Sequence, residues 1–207
     1  MHISDFRKRP LLGILRNIEK ELIEPIIDTS VSAGLRAIEI TMNTPDAPAI
    51  IKKARNRSGG KIAIGAGTVL DMDMLKIALD SGATFVVSPC LIENVCVYCK
   101  NNSIPNFPGG LTPSEIYQAH KSGAAMVKVF PAALFGPRYF KDLKGPFNSI
   151  ELLACGGVNK DNIKGYFDAG ASAIAFGDSI FKKTLLRAGD FKQIESDIKG
   201  LIAAKEA

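Results

Sequence analysis

The amino-acid sequence predicts a compact (β/α)8 barrel, the TIM barrel, with extra helices at its ends. Three observations lead there. Eight short apolar segments rich in strand-forming residues recur along the whole chain, a helix-like stretch separates each from the next, and no Pro/Ser-rich linker or shift in composition interrupts the series. Eight such units within 207 residues suit a closed barrel at its compact limit, whereas a doubly wound open sheet calls for fewer strands or more residues. Residues 1–207 are therefore read as one domain.

The eight segments are, in order, LLGIL (11–15), AIEIT (37–41), IAIGA (62–66), TFVVS (84–88), IPNFP (104–108), MVKVF (126–130), IELLA (150–154) and AIAFG (173–177). Between them KELIEPIIDTSVSAG, DMDMLKIALDSG and NKDNIKGYFDAG space their apolar residues as one face of a helix does. The endings SAG, DSG, KSG and DAG place glycine where a helix stops and a strand begins, because glycine enters the left-handed conformation of a C-cap at little cost. HISDFRKR at the start and GDFKQIESDIKGLIAAKEA at the end are the additional terminal helices.

Composition narrows the function. Hydrophobic residues make up 46% and charged residues 23%, enough apolar material for a substantial core. No apolar run is long enough to span a bilayer, and the opening MHISDFRKRPLLGIL lacks the long apolar stretch and cleavage site of a signal peptide, so a cytoplasmic protein with no membrane partner is expected. The net charge is +5, but the basic residues are scattered apart from two short runs, FRKRP and KKARNR. With no tryptophan and no nucleic-acid motif, this charge points to anionic small molecules rather than nucleic acid. Cys96 and Cys99 form a C-x-x-C, yet no second ligand pair stands at matching spacing, so they are read as small hydrophobes on a helix and not as a metal site.

The chemistry lies in two strands. Alternation along MVKVF puts Lys128 on one face with Met126 and Phe130, with Val127 and Val129 opposite. In AIEIT, Glu39 shares a face with Ala37 and Thr41, against Ile38 and Ile40. In a barrel the β-branched residues pack outward on the helices, so the amine and the carboxylate both look inward near the C-terminal ends of the sixth and second strands. A buried ion pair is the purely structural account, though desolvation offsets most of its attraction. An amine in a dry site can also attack a carbonyl and form a Schiff base, and a nearby carboxylate can shuttle protons. CGGV after the seventh strand and FGDS after the eighth stand where barrels hold phosphate on backbone N–H groups at a helix N-terminus, which nominates Gly156, Gly157, Gly177 and Ser179. Asp178 puts a carboxylate in that loop, either to repel phosphate or to cap the next helix.

At GILR (13–16), EITMNTP (39–45), GAGTVL (65–70), VVSPCL (86–91), FPGGLTPSE (107–115), VKVFPA (127–132), KGPF (144–147) and CGGVNKDN (155–162), the sequence resembles the 2-keto-3-deoxy-6-phosphogluconate / 4-hydroxy-2-oxoglutarate aldolases, the small class I pyruvate aldolases. The resemblance implies Lys128 as Schiff-base lysine and Glu39 as general acid/base. It gives Thr68 the pyruvate carboxylate, Arg16 the substrate, Phe130 a pocket wall and Pro89 the backbone at the pyruvate end. It further implies a homotrimer, no metal or organic cofactor, and cleavage of an anionic, phosphorylated 2-keto-3-deoxy sugar acid, or of 4-hydroxy-2-oxoglutarate, to pyruvate and an aldehyde such as glyceraldehyde 3-phosphate or glyoxylate. Asn43 stands where some members have a substrate-binding arginine, and Cys155 where the gluconate enzymes have a threonine. MNTP and FPAALFGPRYFK are closer to the galactonate-pathway relatives, whose specificity is the alternative. Two more distant readings use the same residues: a sugar-phosphate isomerase or epimerase with Glu39 as base, and a non-catalytic barrel that binds an anion.

Overall fold

The computed structural model describes residues 1–206. Nine parallel strands form one sheet: β1 (Leu11–Leu15), β2 (Ala37–Thr41), β3 (Ala63–Gly67), β4 (Val86–Val87), β5 (Asn106–Phe107), β6 (Gly109–Gly110), β7 (Val127–Val129), β8 (Leu152–Cys155) and β9 (Ala173–Phe176). Their order is β5-β4-β3-β2-β1-β9-β8-β7-β6. The two edge strands are halves of one segment interrupted at Pro108; the predicted fifth strand, 104–108, contains β5 and ends at that proline, and β6 continues past it. Proline has no N–H to give to a ladder, so the strand assignment breaks at that residue.

The break does not open the barrel. Asn106, Pro108 and Gly110 offer carbonyls that accept from the N–H groups of Ala125, Lys128 and Phe130, at 2.9, 2.9 and 3.3 Å, while Val86 and Val87 pair with Asn106 and Phe107 on the other side. The segment therefore closes the ring as a single staggered strand, and the expected eight-stranded barrel is present. Ten helices surround it or cap its ends: α1 (Ile3–Lys8), α2 (Ile23–Ser32), α3 (Ala47–Ser58), α4 (Met72–Asp80), α5 (Glu93–Asn101), α6 (Pro113–Lys121), α7 (Gly136–Lys144), α8 (Ile163–Asp168), α9 (Lys183–Ala188) and α10 (Phe191–Glu206). α1 and α10 are the two terminal additions. Among the described residues no helix is long and apolar enough to cross a membrane.

Helix ends follow the local chemistry. Gly34, Gly82, Gly123 and Gly170, the last residues of SAG, DSG, KSG and DAG, all have φ between +86° and +98°, the left-handed stop that favours glycine. At the other end of a helix, Thr112 and Glu115 of LTPSE cap α6 reciprocally: the Thr112 hydroxyl accepts from the Glu115 N–H, and the Glu115 carboxylate accepts from the N–H groups of Thr112 and Leu111. Those backbone donors hold the Glu115 carboxyl below the ordinary carboxylate range.

The strands bury both faces, as parallel barrels require. Ile38, Ile40, Ile64, Val127 and Val129 face outward into the large core shared with the helices. Leu12, Ala37, Phe85, Phe107, Met126 and Leu153 fill the barrel interior, plugged from below by Phe6 of α1. Three aromatic rings dominate that floor, with Phe107 5.7 Å from Phe6 and 5.9 Å from Phe85. Phe85 has room because the neighbouring strand β3 carries Gly65, where a Cβ would lie 2.4 Å from the ring. The floor seals the barrel, so polar groups placed above it look only toward the C-terminal mouth.

Candidate active site

Glu39 and Lys128 lie on the interior face, one side-chain layer above that floor. β2 and β7 are diametrically opposed: three strands separate them in either direction around the ring, with β5 and β6 counted as one. Glu39 is 1% exposed and Lys128 4%. The face assignments read from alternation hold, since Ala37 and Met126 lie in the interior cluster and Ile38, Ile40, Val127 and Val129 lie outside it.

Burial pushes the Glu39 carboxyl above the ordinary range, and the charges of Lys128 and Arg16 only partly pull it back. Its Oε2 is fully buried without a hydrogen-bond partner. A carboxylate so placed holds a proton more readily than one in water, and an unpartnered oxygen is free to engage a substrate atom. Room for the group comes from Gly67 on β3, where a Cβ would stand 2.5 Å from Oε1.

Lys128 opens into a cavity of about 310 Å³ in the barrel mouth, lined also by Arg16, Phe130, Cys155 and the ends of β8 and β9. The amine sits 5.0 Å from the centre of the Phe130 ring, whose face attracts its charge. Phe130 is 36% exposed and walls this cavity, so core packing does not account for it. Cys155 is buried beside the amine. Burial pushes its thiol up against the pull of Lys128, while Glu39 adds to the rise; a hydrogen bond with Lys128 and the charge of Arg16 act the other way.

The same cavity collects Gly156, Gly157, Gly177 and Ser179. Gly156 and Gly157 have φ of +96° and +78°, and a Cβ at Gly157 would lie 2.4 Å from that of Ala133, so both the turn and the close approach demand glycine. The Ser179 hydroxyl donates to the Val158 carbonyl at 3.0 Å and ties the two loops together. Two expectations need correction. No helix starts directly behind FGDS: residues 177–180 form a turn in which the Gly177 carbonyl accepts from Ile180 and Phe181, so Asp178 caps no helix and lines the cavity instead. Behind CGGV, α8 begins only at Ile163, and the intervening loop is braced by Asn162 Nδ2 donating to the Gly157 carbonyl at 2.9 Å.

Arg16, Lys128, Phe130 and the four loop residues Gly156, Gly157, Gly177 and Ser179 thus share one cavity, while Glu39, Thr68 and Pro89 do not line it. Thr68 follows β3 on the same rim with φ +56°, a strained setting for a β-branched residue of the kind kept at functional sites. The Pro89 carbonyl lies where a Cβ on Gly109 would come within 2.0 Å, and Gly109 is the register partner of Lys128. Thr68 thus adjoins Gly67, which packs on Glu39, and Pro89 packs on Gly109, beside Lys128. Sequence reasoning missed the support beneath Arg16. The next residue, Asn17, has φ +51°, and its N–H donates to Thr44 Oγ1 at 3.0 Å; that hydroxyl lies 3.0 Å from Thr41 Oγ1, with both threonines buried. The NTP in EITMNTP was the available signal.

Cys96 and Cys99 sit buried in α5. Burial pushes the Cys99 thiol up to about 12, and Asn106 Nδ2 donates to Cys96 Sγ at 3.0 Å. Among the described residues no group of three or more His, Cys, Asp or Glu side chains is arranged to hold a metal.

Fold and mouth together define a barrel enzyme with an enclosed amine and an enclosed carboxyl on opposed strands. The family model described as KDPG and KHG aldolase matches residues 3–196. The 2-dehydro-3-deoxy-6-phosphogalactonate aldolase of Escherichia coli is 32% identical over 84% of this chain and 86% of its own. The 2-dehydro-3-deoxy-phosphogluconate aldolase of Pseudomonas aeruginosa is 30% identical over 91% of this chain and 86% of its own. A solved structure described as native KDPGal superposes with a TM-score of 0.89 at 28% identity, covering 96% of this chain and 95% of that one. The chain belongs to the KDPG and KHG aldolase family, and it is a carbon–carbon lyase of the aldolase type.

Proposed function

We propose that the protein cleaves a 2-keto-3-deoxy-6-phospho sugar acid to pyruvate and glyceraldehyde 3-phosphate through a Schiff base on Lys128. The observation that carries this reading is the pairing of the enclosed Lys128 amine with a Glu39 carboxyl whose Oε2 has no partner of its own. The amine adds to the C2 carbonyl and water leaves, forming an iminium. Glu39 takes the proton of the C4 hydroxyl, the C3–C4 electron pair moves onto the iminium, and the aldehyde departs. Glu39 then returns its proton to C3 of the enamine, and hydrolysis of the iminium frees pyruvate and the lysine. The raised Glu39 proton affinity suits this alternation, because the group must both accept and give a proton near neutral pH.

Thr68 and the backbone at Pro89 hold the pyruvate end in this scheme. Arg16 and the loops at Gly156, Gly157, Gly177 and Ser179 receive the far, anionic end. The mouth of the barrel supports that division, since Arg16 is the only cation besides Lys128 among the residues lining the cavity. We place the enzyme in the cytoplasm, as one domain spanning residues 1–207, assembling as a homotrimer; light scattering that gives a monomer would refute the last point. Borohydride added with pyruvate is expected to leave a reduced three-carbon adduct on Lys128 by peptide mass spectrometry, and an unmodified Lys128 would sink the mechanism. Pyruvate release measured side by side from the phosphorylated gluconate and galactonate substrates and from 4-hydroxy-2-oxoglutarate assigns the stereochemistry.

A further inference from the structure

A second, larger cavity of about 630 Å³ opens at the other end of the molecule. Its walls come from the N-terminal rim of the barrel: Arg9 just before β1, Arg36 just before β2, Lys61 to Ala63 leading into β3, and Thr84 just before β4. α1 contributes Asp5, Phe6 and Lys8, and α3 contributes Arg55. The interior plug of Phe6, Phe85 and Phe107 lies between this cavity and the catalytic mouth.

The charge of the lining is one-sided. The side chains of Lys8, Arg9, Arg36, Arg55 and Lys61 face it with one carboxylate, Asp5, a side-chain excess of four positive charges to which the Met1 ammonium adds, in a chain whose net charge is +5. Lys8 and Arg9 come from FRKRP and Arg55 from KKARNR, so folding brings together the two basic runs that lie far apart in sequence. Two of the five cations have partners: Lys8 is 2.8 Å from Asp5, and Arg9 Nη1 donates to the Gly34 carbonyl at 2.8 Å. Among the described residues Arg36, Arg55 and Lys61 form no ion pair. The Arg55 stem is held in place against Gly82, where a Cβ would come within 3.1 Å of its Cγ. Like charges gathered around a concave surface with an apolar floor repel one another and focus a positive potential into the space between them. A bound anion removes that repulsion, and guanidinium groups recognise phosphate oxygens two at a time.

We propose that this cavity is a binding site for a small organic polyanion carrying at least two phosphate groups, separate from the catalytic mouth. Its concave, bounded volume, with Phe6 the one phenyl ring in the lining, favours a small molecule over a nucleic-acid strand, which needs a long groove and several stacking aromatics. Two phosphates use Arg36, Arg55 and Lys61, above a floor formed by the buried Phe6 and Ile62.

Titration calorimetry with inorganic pyrophosphate and with ATP, on the intact protein, tests the site. The expected result is one site per chain, weakened as salt rises, with ATP binding at least as tightly as pyrophosphate. The Arg36→Gln/Arg55→Gln double variant should lose at least tenfold in affinity for both while its aldolase turnover stays within twofold of the parent. Arg36→Lys/Arg55→Lys should keep most of the binding and checks that the loss reflects charge. Absence of binding to the parent at millimolar ligand would overturn the proposal. So would unchanged binding in the glutamine variant, which would assign the anion to the catalytic mouth, or displacement of the ligand by pyruvate.

Discussion

The Glu39 carboxylate occupies the space that a side chain at Gly67 would fill: a Cβ there would stand 2.5 Å from Oε1 and 2.7 Å from the carboxyl carbon. A glycine on β3 thus sets the position of an acid on β2. Gly67→Ala should therefore push the carboxyl off its line to the substrate and lower kcat by about a hundredfold, since a displacement near 1 Å carries a penalty of that order. Gly200→Ala is the contrast. A Cβ at that position in α10 would meet nothing within 4 Å, so the substitution should raise stability by ~1 kcal/mol and leave kcat alone. Equal kcat in Gly67→Ala and the parent would separate Gly67 from the chemistry.

Glu39 should make stability fall with pH. Its folded-state proton affinity is raised above the ordinary carboxyl value of 4.5, so the folded protein holds a proton that the unfolded chain releases. Stability is then full below the unfolded pKa and declines as pH rises from there through the folded pKa. Glu39→Gln removes this dependence. Urea unfolding across pH 4 to 8 should show the variant gaining on the parent as pH increases, with turnover reduced by roughly a hundredfold or more. A gap that stays constant with pH would contradict the raised proton affinity.

Thr44 supports Arg16 through the N–H of Asn17. Thr44→Val leaves that donor and the Thr41 hydroxyl without their shared partner and should cost about 1–2 kcal/mol of stability. KM should rise severalfold with kcat nearly unchanged, because the proposed scheme puts Arg16 on the substrate away from the breaking bond. Thr44→Ser keeps the hydroxyl and should restore KM; failure to do so would point to the lost methyl group instead.

The cysteines should separate by reactivity. Cys90 is exposed, whereas Cys96, Cys99 and Cys155 are buried with thiol proton affinities raised by burial. A thiol reagent at pH 8 should modify one cysteine rapidly and all four only in denaturant. Fast reaction of a second thiol in the native protein would show that α5 or the mouth opens.

Much of the framework was legible because it depends on local rules. Alternation assigned Lys128 and Glu39 to the interior, and the glycines at 34, 82, 123 and 170 marked helix ends through a conformation that other residues adopt at a cost. What escaped depends on distant partners. Pro108 fits an apolar run but interrupts the strand, while Asp178 lies within a turn and not before the helix that a carboxylate in that position suggests. The Asn17–Thr44 bond joins loops that only the closed barrel brings together, and the two basic runs meet for the same reason. Such juxtapositions are set by tertiary packing, to which propensity and spacing are blind.

The opposed placement of β2 and β7 gives the enzyme a division of labour between its two halves. A cut at the exposed Asn102–Ser103 turn would leave Glu39 on one fragment and Lys128 on the other, and under the proposed mechanism neither fragment could complete a catalytic cycle. Turnover recovered on mixing the fragments would then report that the ring of strands had closed again, making the reaction itself a gauge of reassembly.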